Sequence, residues 1–258
     1  MTDPAASSPA ERVRASHHGP HPLVLPNVWD PASAREFAGA GFAALATSSA
    51  AVALTIGYTD GNAPGAEMLA ASARIAGAVD VPVTADIEDG YGLPPAELVS
   101  RLLEAGIIGC NLEDSEPATR TLRDPAAQAD YLAAVRQAAG PELVLNARVD
   151  VFIRPLADGA DPVAEAVRRA RTYLAAGADC VYPILAPADS IARLVADIDG
   201  PVNAMARPGG PTVAALAAAG VARITFGGGL HARFMAAVRA QADELAAEIS
   251  AWSGPAQR

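Results

Sequence analysis

Acidic and basic side chains recur at two-residue intervals in three stretches of this chain: Asp86 and Glu88 in Val83-Thr84-Ala85-Asp86-Ile87-Glu88-Asp89-Gly90-Tyr91-Gly92, Glu113 in Gly109-Cys110-Asn111-Leu112-Glu113-Asp114, and Arg148 in Asn146-Ala147-Arg148-Val149-Asp150. Alternate residues of an extended chain point to one side. On that rule Asp86 pairs with Glu88, Asn111 with Glu113, and Asn146 with Arg148, while Cys110 turns to the opposite face as a packed thiol rather than a nucleophile. Three carboxylates on neighbouring strand ends repel one another without a counter-ion. A hard divalent cation with oxygen ligands resolves this: Mg²⁺ with retained waters, or Mn²⁺. The structural alternative is that some of these acids, Asp89 or Asp114 first, cap the helices that follow. An arginine beside such a site suits an anionic substrate, because its fork holds a carboxylate or phosphonate; the same guanidinium can equally form an ion pair with one of the acids.

These residues need a frame that delivers strand ends to one place. A repeating unit supplies it: a helix ending in Ala-Gly, then a short apolar strand. It occurs at Ala40-Gly41, Ala105-Gly106, Ala176-Gly177 and Ala219-Gly220, where glycine suits the left-handed residue past a helix end. Further strands are expected at Leu23–Pro26, Val81–Asp86, Leu143–Arg148 and Pro201–Ala204, with helices at about 31–39, 64–79, 94–105, 125–139, 161–176, 189–197, 211–219 and 230–251. Eight strand–helix units predict an α/β fold of the (β/α)₈ barrel type, with the active site at the C-terminal strand ends. A doubly wound open sheet is the alternative, but Gly227-Gly228-Gly229 follows the last strand and is no dinucleotide fingerprint. Residues 22–258 are read as a single barrel domain including the C-terminal helix, and residues 1–21, rich in Ala, Ser, Pro and His, as a mobile tail. His17, His18 and His21 in that tail are read as solvated rather than as metal ligands. After strand two, Thr47-Ser48-Ser49-Ala50 opens a helix with small residues, either an anion-binding turn or a simple cap.

Composition bounds the partners. Hydrophobic residues are 51%, charged residues 19% and the formal net charge is −10, which argues against a nucleic-acid surface. Cys110 and Cys180, both in apolar stretches, are expected to be buried free thiols of a reducing compartment. No signal peptide or membrane-length apolar run is seen, so a cytoplasmic protein without membrane association is expected.

Asn27-Val28-Trp29-Asp30, Ser48-Ser49-Ala50, Gly57-Tyr58-Thr59-Asp60-Gly61, Asp86-Ile87-Glu88-Asp89-Gly90-Tyr91-Gly92, Leu112-Glu113-Asp114 and Ala147-Arg148-Val149-Asp150 together resemble the isocitrate lyase/phosphoenolpyruvate mutase superfamily, in its order and spacing, from about residue 23 to residue 245. The resemblance implies a barrel homo-oligomer, tetramer or dimer, with the last helix exchanged between subunits. It implies Mg²⁺ on Asp86, Glu88 and Glu113, with Asp60 supporting that shell through water. It places Ser48, Ser49 and Ala50 against a substrate carboxylate, Asp86 and Arg148 near the anionic substrate, and Arg148, Asp60 and Glu113 in catalysis. Asn203 is a further candidate for the pocket wall, Arg207 for either the pocket or the surface, Tyr182 for a core or interface aromatic ahead of orienting substrate, His231 for a cap, an interface or a catalytic role, and Tyr58 and Tyr91 for loops over the site. The implied substrates are 2-oxo acids or their adducts, reacting through a metal-stabilised enolate.

The chain departs from that pattern in two places. Asp86-Ile87-Glu88 stands where Asp-Ala-Asp is usual. The loop Ser115–Asp124 lacks the cysteine, lysine and asparagine that serve the superfamily's lyases, mutases and hydrolases, and arginine is no acid at neutral pH. A reaction with little proton transfer fits better. Cleavage of a C–C bond next to the oxo group, as in oxaloacetate decarboxylation, leads; P–C chemistry of the phosphonomutase or phosphonopyruvate hydrolase kind follows; a non-catalytic 2-oxo-acid-binding protein comes third.

Overall fold

The computed structural model describes residues 7–253. Eight parallel strands close a ring: β1 in two pieces, Leu23–Val24 and Asn27–Val28, then β2 (Leu45–Thr47), β3 (Val83–Asp86), β4 (Ile107–Glu113), β5 (Val144–Val149), β6 (Cys180–Pro183), β7 (Asn203–Met205) and β8 (Arg223–Thr225). Consecutive strands pair in register, Asn27 with Ala46, Leu45 with Val83, Cys110 with Leu145, Ala147 with Val181 and Ala204 with Ile224. A single bridge, Val181 to Val202, joins β6 to β7, and Leu23 against Arg223 closes the circle. Pro26 has no N–H to donate, which explains why β1 is broken: its first half pairs with β8 and its second with β2. The expected (β/α)₈ barrel is therefore the fold.

The helices α2 (Pro31–Gly39), α3 (Ser49–Thr55), α4 (Gly65–Ala76), α5 (Pro95–Glu104), α6 (Pro125–Ala139), α7 (Pro162–Ala175), α8 (Ile191–Ile198) and α9 (Val213–Ala218) surround it, and α10 (Gly229–Ser253) follows β8. Their starts are written in the sequence. Asp30, Asp124 and Asp161 each accept first-turn N–H groups, and each precedes a proline. Their ends are too: Gly41, Gly106, Gly177 and Gly220 have φ of 93°, 74°, 101° and 82°, the left-handed residue the Ala-Gly repeat demanded. One apolar core cluster, including Leu98, Leu102, Cys110, Leu112, Leu132 and Val135, lies between strands and helices.

The expected mobile tail is corrected by a helix, α1 (Pro9–Ser16). Ser8 accepts from the Glu11 N–H and Glu11 returns a bond to the Ser8 N–H, a complete capping box with Pro9 at the first position. Ala10 and Val13 share a face and pack with Leu25, Ala44, Ala46 and Val144 at the base of the barrel. Arg14 ties the helix down through Asp179 (2.7 Å) and the Leu143 carbonyl (2.9 Å). Residues 1–6 of the expected tail lie outside the described residues. Among those described, no helix is long and apolar enough to cross a membrane.

Candidate active site

The C-terminal strand ends surround a cavity of about 310 Å³ lined by Ser49, Asp60, Gly61, Glu88, Glu113, Pro117, Arg120, Arg148, Ile153 and Arg154. Asp86 is the last residue of β3 and stands at its edge. Its N–H donates to Thr47 Oγ1 (3.0 Å), and its Oδ2 accepts from Ser49 Oγ (2.8 Å) and the Ser49 N–H (3.3 Å). Its Oδ1 is buried without a partner, as is Oε1 of Glu88.

Glu88 does not follow the alternation expected for it. The strand stops at Asp86, and a turn closed by the Gly90 N–H on the Ile87 carbonyl (2.9 Å) puts Glu88 at φ +52°. A non-glycine residue there costs on the order of 1–2 kcal/mol, and such strain gathers at functional sites. The turn still delivers the Glu88 carboxylate into the cavity. Burial, then repulsion from Asp86, Asp60 and Asp89, pushes its pKa up to about 7 against the pull of Arg148. Burial likewise raises Asp60, with Asp86 adding to it.

β4 and β5 place Glu113 opposite Arg148 in register, and Arg148 Nη1 meets Glu113 Oε2 at 2.7 Å. Burial raises the Glu113 pKa, and Arg148 opposes that rise. Arg148 also holds Asp150 through Nε (2.7 Å) and Nη2 (3.1 Å). Burial would weaken its charge, but Asp150 and Glu113 more than offset this and the guanidinium is firmly cationic. The expected ion pair is thus present and occupies all three nitrogens. Arg154 Nε donates to Ser115 Oγ (2.7 Å), and that hydroxyl donates to Asp150.

Asp89 and Asp114, the candidate helix caps, brace loops instead. Arg123 joins Asp89 (2.7 Å) to Glu116 (2.8 Å), tying the loop after β3 to the loop after β4. Asp114 is fully buried and accepts from Tyr173 Oη (2.7 Å), Arg169 Nη1 (2.9 Å) and the Asp150 N–H (2.8 Å).

A family model described as phosphoenolpyruvate phosphomutase matches residues 13–246. The chain belongs to that family. A Burkholderia cenocepacia J2315 crystal structure assigned to the phosphonomutases is similar to this family member at 42% identity and a TM-score of 0.85, over 92% of this chain and 100% of the other. An uncharacterized protein of Mycobacterium tuberculosis is 37% identical over 82% of this chain and 80% of its own length. An oxaloacetate decarboxylase of Pseudomonas savastanoi pv. phaseolicola is 32% identical over 85% of this chain and 77% of its own. The superfamily expected from the motifs is therefore the right one, and its named relatives include lyases and mutases.

In this family member the expected site residues divide. Ser49, Asp60, Glu88, Glu113 and Arg148 line one cavity, and Asp86 adjoins it through Ser49. Ser48 is buried as the cap of α3, accepting from the Ala51 N–H, and Ala50 is half-buried one residue further on. Asn203 is fully buried on β7; its Oδ1 accepts from Thr225 Oγ1 (3.2 Å) and its Nδ2 has no partner, but it is not part of the cavity wall. Arg207 is exposed, and His231 packs edge-on against Trp29, centroids 5.1 Å apart. Tyr182 is buried. Cys110 and Cys180 are buried free thiols, each pushed up to about 12 by burial and so unfit as thiolates. Sequence reasoning missed Arg154; its signal was its place in the loop after β5, six residues past Arg148, because loops at this end of a barrel build the site.

Among the described residues no three His, Cys, Asp or Glu side chains form a ready-made metal shell. The donor set nonetheless suits a hard cation. Two carboxylate oxygens, Asp86 Oδ1 and Glu88 Oε1, are buried and unbonded, and burial with the charges of Asp86 and Asp60 raises the Glu88 pKa. Mg²⁺ needs only one or two carboxylates beside its waters.

Proposed function

We propose that the protein is a divalent-metal-dependent lyase that cleaves the C–C bond next to the oxo group of a 2-oxo acid, in the manner of oxaloacetate decarboxylation. The observation that carries this reading is the make-up of the cavity wall. Its polar side chains are carboxylates, guanidinium groups and one serine hydroxyl, with no thiol, imidazole or amine among them. Such a wall binds anions and steadies charge, and its acids with raised pKa values, Glu88 and Glu113, are committed in this reading to the cation rather than to proton transfer. Loss of CO₂ asks least of it: the bonding pair moves toward the oxo group, CO₂ departs unaided, and the new C–H bond takes its proton from water.

Asp86, Glu88 and Glu113 would hold the cation, Mg²⁺ or Mn²⁺. When bound it supplies Lewis-acid stabilisation to the charge developing on the oxo oxygen. Ser49 orients Asp86 through two hydrogen bonds and Asp60 faces the same space. Arg148 fixes Glu113 and adds positive charge to the wall. The similarity to an oxaloacetate decarboxylase supports this reading.

A second reading, P–C bond chemistry, is favoured by the likeness to the Burkholderia structure. Incubation with Mg²⁺ and a panel including oxaloacetate and phosphonopyruvate separates the two. Release of CO₂ and pyruvate supports the first, release of phosphate the second, and tight binding without turnover a non-catalytic oxo-acid-binding protein.

The same reading includes self-association through α10, whose Phe234, Val238, Leu245 and Trp252 are 52%, 44%, 58% and 87% exposed. Exposed apolar area on this scale marks an interaction surface. Light scattering that returns the mass of a monomer would dismiss it.

A further inference from the structure

Five side chains at the barrel mouth form one hydrogen-bonded chain. Arg154 Nε donates to Ser115 Oγ (2.7 Å), and the Ser115 hydroxyl donates to Asp150 Oδ2. Asp150 accepts from Arg148 Nε (2.7 Å) and Nη2 (3.1 Å), and Arg148 Nη1 meets Glu113 Oε2 (2.7 Å). Arg148 is thus shared unequally: two nitrogens lie on Asp150 and one on Glu113. The two-pronged guanidinium–carboxylate pair is the stronger arrangement. The Asp150 end is also the fixed one. Ser115 and Asp150 are both 0% exposed. The Asp150 N–H donates to Asp114 Oδ1 (2.8 Å), and its carboxylate takes the Ser115 hydroxyl from the loop after β4. Glu113 faces the cavity, and among the described residues Arg148 is its one ion-pair partner.

Glu113 therefore has two claimants, the guanidinium beside it and the divalent cation that the site would hold, and these two repel each other. With Asp150 in place, Arg148 can yield its single contact on Glu113 and keep the two on Asp150. Without Asp150 the fork is left with Glu113, and its planar geometry suits gripping that carboxylate with two nitrogens. We infer that Asp150, held by Ser115, is a positioning residue that restrains Arg148 and so keeps Glu113 available to the divalent cation. Neither Asp150 nor Ser115 is part of the cavity wall; both act through Arg148. The inference rests on the reading of Asp86, Glu88 and Glu113 as cation ligands.

Titration of the whole protein with Mn²⁺ in the absence of substrate, read by the EPR signal of the free ion, tests this without turnover. Asp150→Asn should weaken Mn²⁺ binding by about tenfold, the scale of a charge-assisted bond. Ser115→Ala changes no charge and removes only the hydroxyl that holds Asp150. It should weaken binding by about threefold, the scale of a neutral donor, and it keeps the test decisive if Asp150→Asn does not fold. Arg148→Gln removes the competitor and should bind Mn²⁺ more tightly than wild type, a gain that a merely structural role for this network does not produce. In the Arg148→Gln background, Ser115→Ala should leave the affinity where Arg148→Gln alone puts it, because the two changes act on one contact and do not add. An equal loss from Ser115→Ala in both backgrounds would mean that the hydroxyl acts through the frame. Unchanged affinity in both Ser115→Ala and Asp150→Asn, or weaker binding in Arg148→Gln, would mean that Arg148 does not contend for Glu113. Each of these results overturns the inference and leaves the cation site standing. A wild type that binds no Mn²⁺ removes the cation reading and the inference with it.

Discussion

At the mouth of the barrel Asp60, Glu88 and Glu113 line one cavity with Asp86 beside it, whereas at its base Arg223 and His17 are buried and, among the described residues, neither is bonded to a carboxylate. Both ends leave polar atoms unbonded: Asp86 Oδ1 and Glu88 Oε1 above, Arg223 Nε and both His17 ring nitrogens below. The setting differs. The upper acids stand on strand ends and on a left-handed turn, around an open cavity. The lower pair lies under α1, where Arg223 leans on Thr84 Oγ1 (3.2 Å) and burial, aided by Arg223, drops the His17 pKa to about 3 and leaves it neutral. Like charges held together beside open space point to a ligand. A neutralised histidine sealed under a helix points to packing.

Asp86→Asn tests the contrast most severely. The amide keeps an acceptor for Ser49 and removes one of the repelling charges. Turnover with Mg²⁺ should fall by about a thousandfold, the scale of losing a key electrostatic group, while the thermal midpoint holds or rises as repulsion is relieved. Steady-state kinetics and calorimetry on one preparation decide it. A variant that loses stability along with activity would make Asp86 part of the frame.

Not every charge at the mouth is there for a ligand, and Asp114 draws the line within that region. All its contacts are made inside the protein; Asp114→Ala would take their acceptor from Tyr173 Oη, the Asp150 N–H and Arg169 Nη1, although Glu165 still pairs with Arg169 Nε. Leaving these buried donors without their carboxylate costs about 3–5 kcal/mol together. Urea denaturation should show a loss of that order. A loss below about 1 kcal/mol would mean that water replaces the carboxylate and the brace is dispensable.

This contrast also marks what could be read from residue order. The barrel was legible because Ala-Gly ends and proline starts are local signals, and Asp86, Glu88 and Glu113 were legible because their residue types are costly to bury together. Three features were not. The turn at Glu88 breaks the two-residue alternation that first paired it with Asp86; Asp-Gly-Tyr-Gly after it hinted at the break. The helix α1 hid in a segment whose Ser, Pro and His content reads as tail, although Ser8-Pro9-Ala10-Glu11 is a capping box in plain order. The commitment of Arg148 to Glu113 and Asp150 depends on strand register and on loops that fold back over the mouth. No local pattern encodes it.

The packing role of His17 carries a pH signature. The unfolded chain takes up a proton on this residue below pH 6.5, and the native protein refuses it until about pH 3. Stability from this group is therefore complete above pH 6.5 and falls as the pH drops through that window, by up to about 1.4 kcal/mol per pH unit. His17→Phe, which fills the space without a titratable ring, should lack this part of the slope. Denaturation at pH 7.5 and pH 5.5 should show a gap between wild type and variant that changes by about 1.4 kcal/mol over the pair. Equal slopes would place His17 in water.

The smallest expected effect belongs to Arg14, which anchors the same helix. Its Asp179 contact is one of two, since Arg136 also pairs with that carboxylate, so Arg14→Gln leaves no acid stranded. What it loses is a partly buried ion pair, with side chains 24% and 12% exposed, and the bonds to the Leu143 and Pro141 carbonyls. Glutamine can replace one of these. The net cost should be about 1 kcal/mol, while KM, kcat and Mg²⁺ dependence stay at wild-type values because the contact lies at the far end of the strands from the cavity. A change in Mg²⁺ dependence in this variant would couple base to mouth. The strands between them, β4 and β5, would then transmit strain from α1 to the Glu113–Arg148 pair, and the two ends could no longer be treated as separate regions.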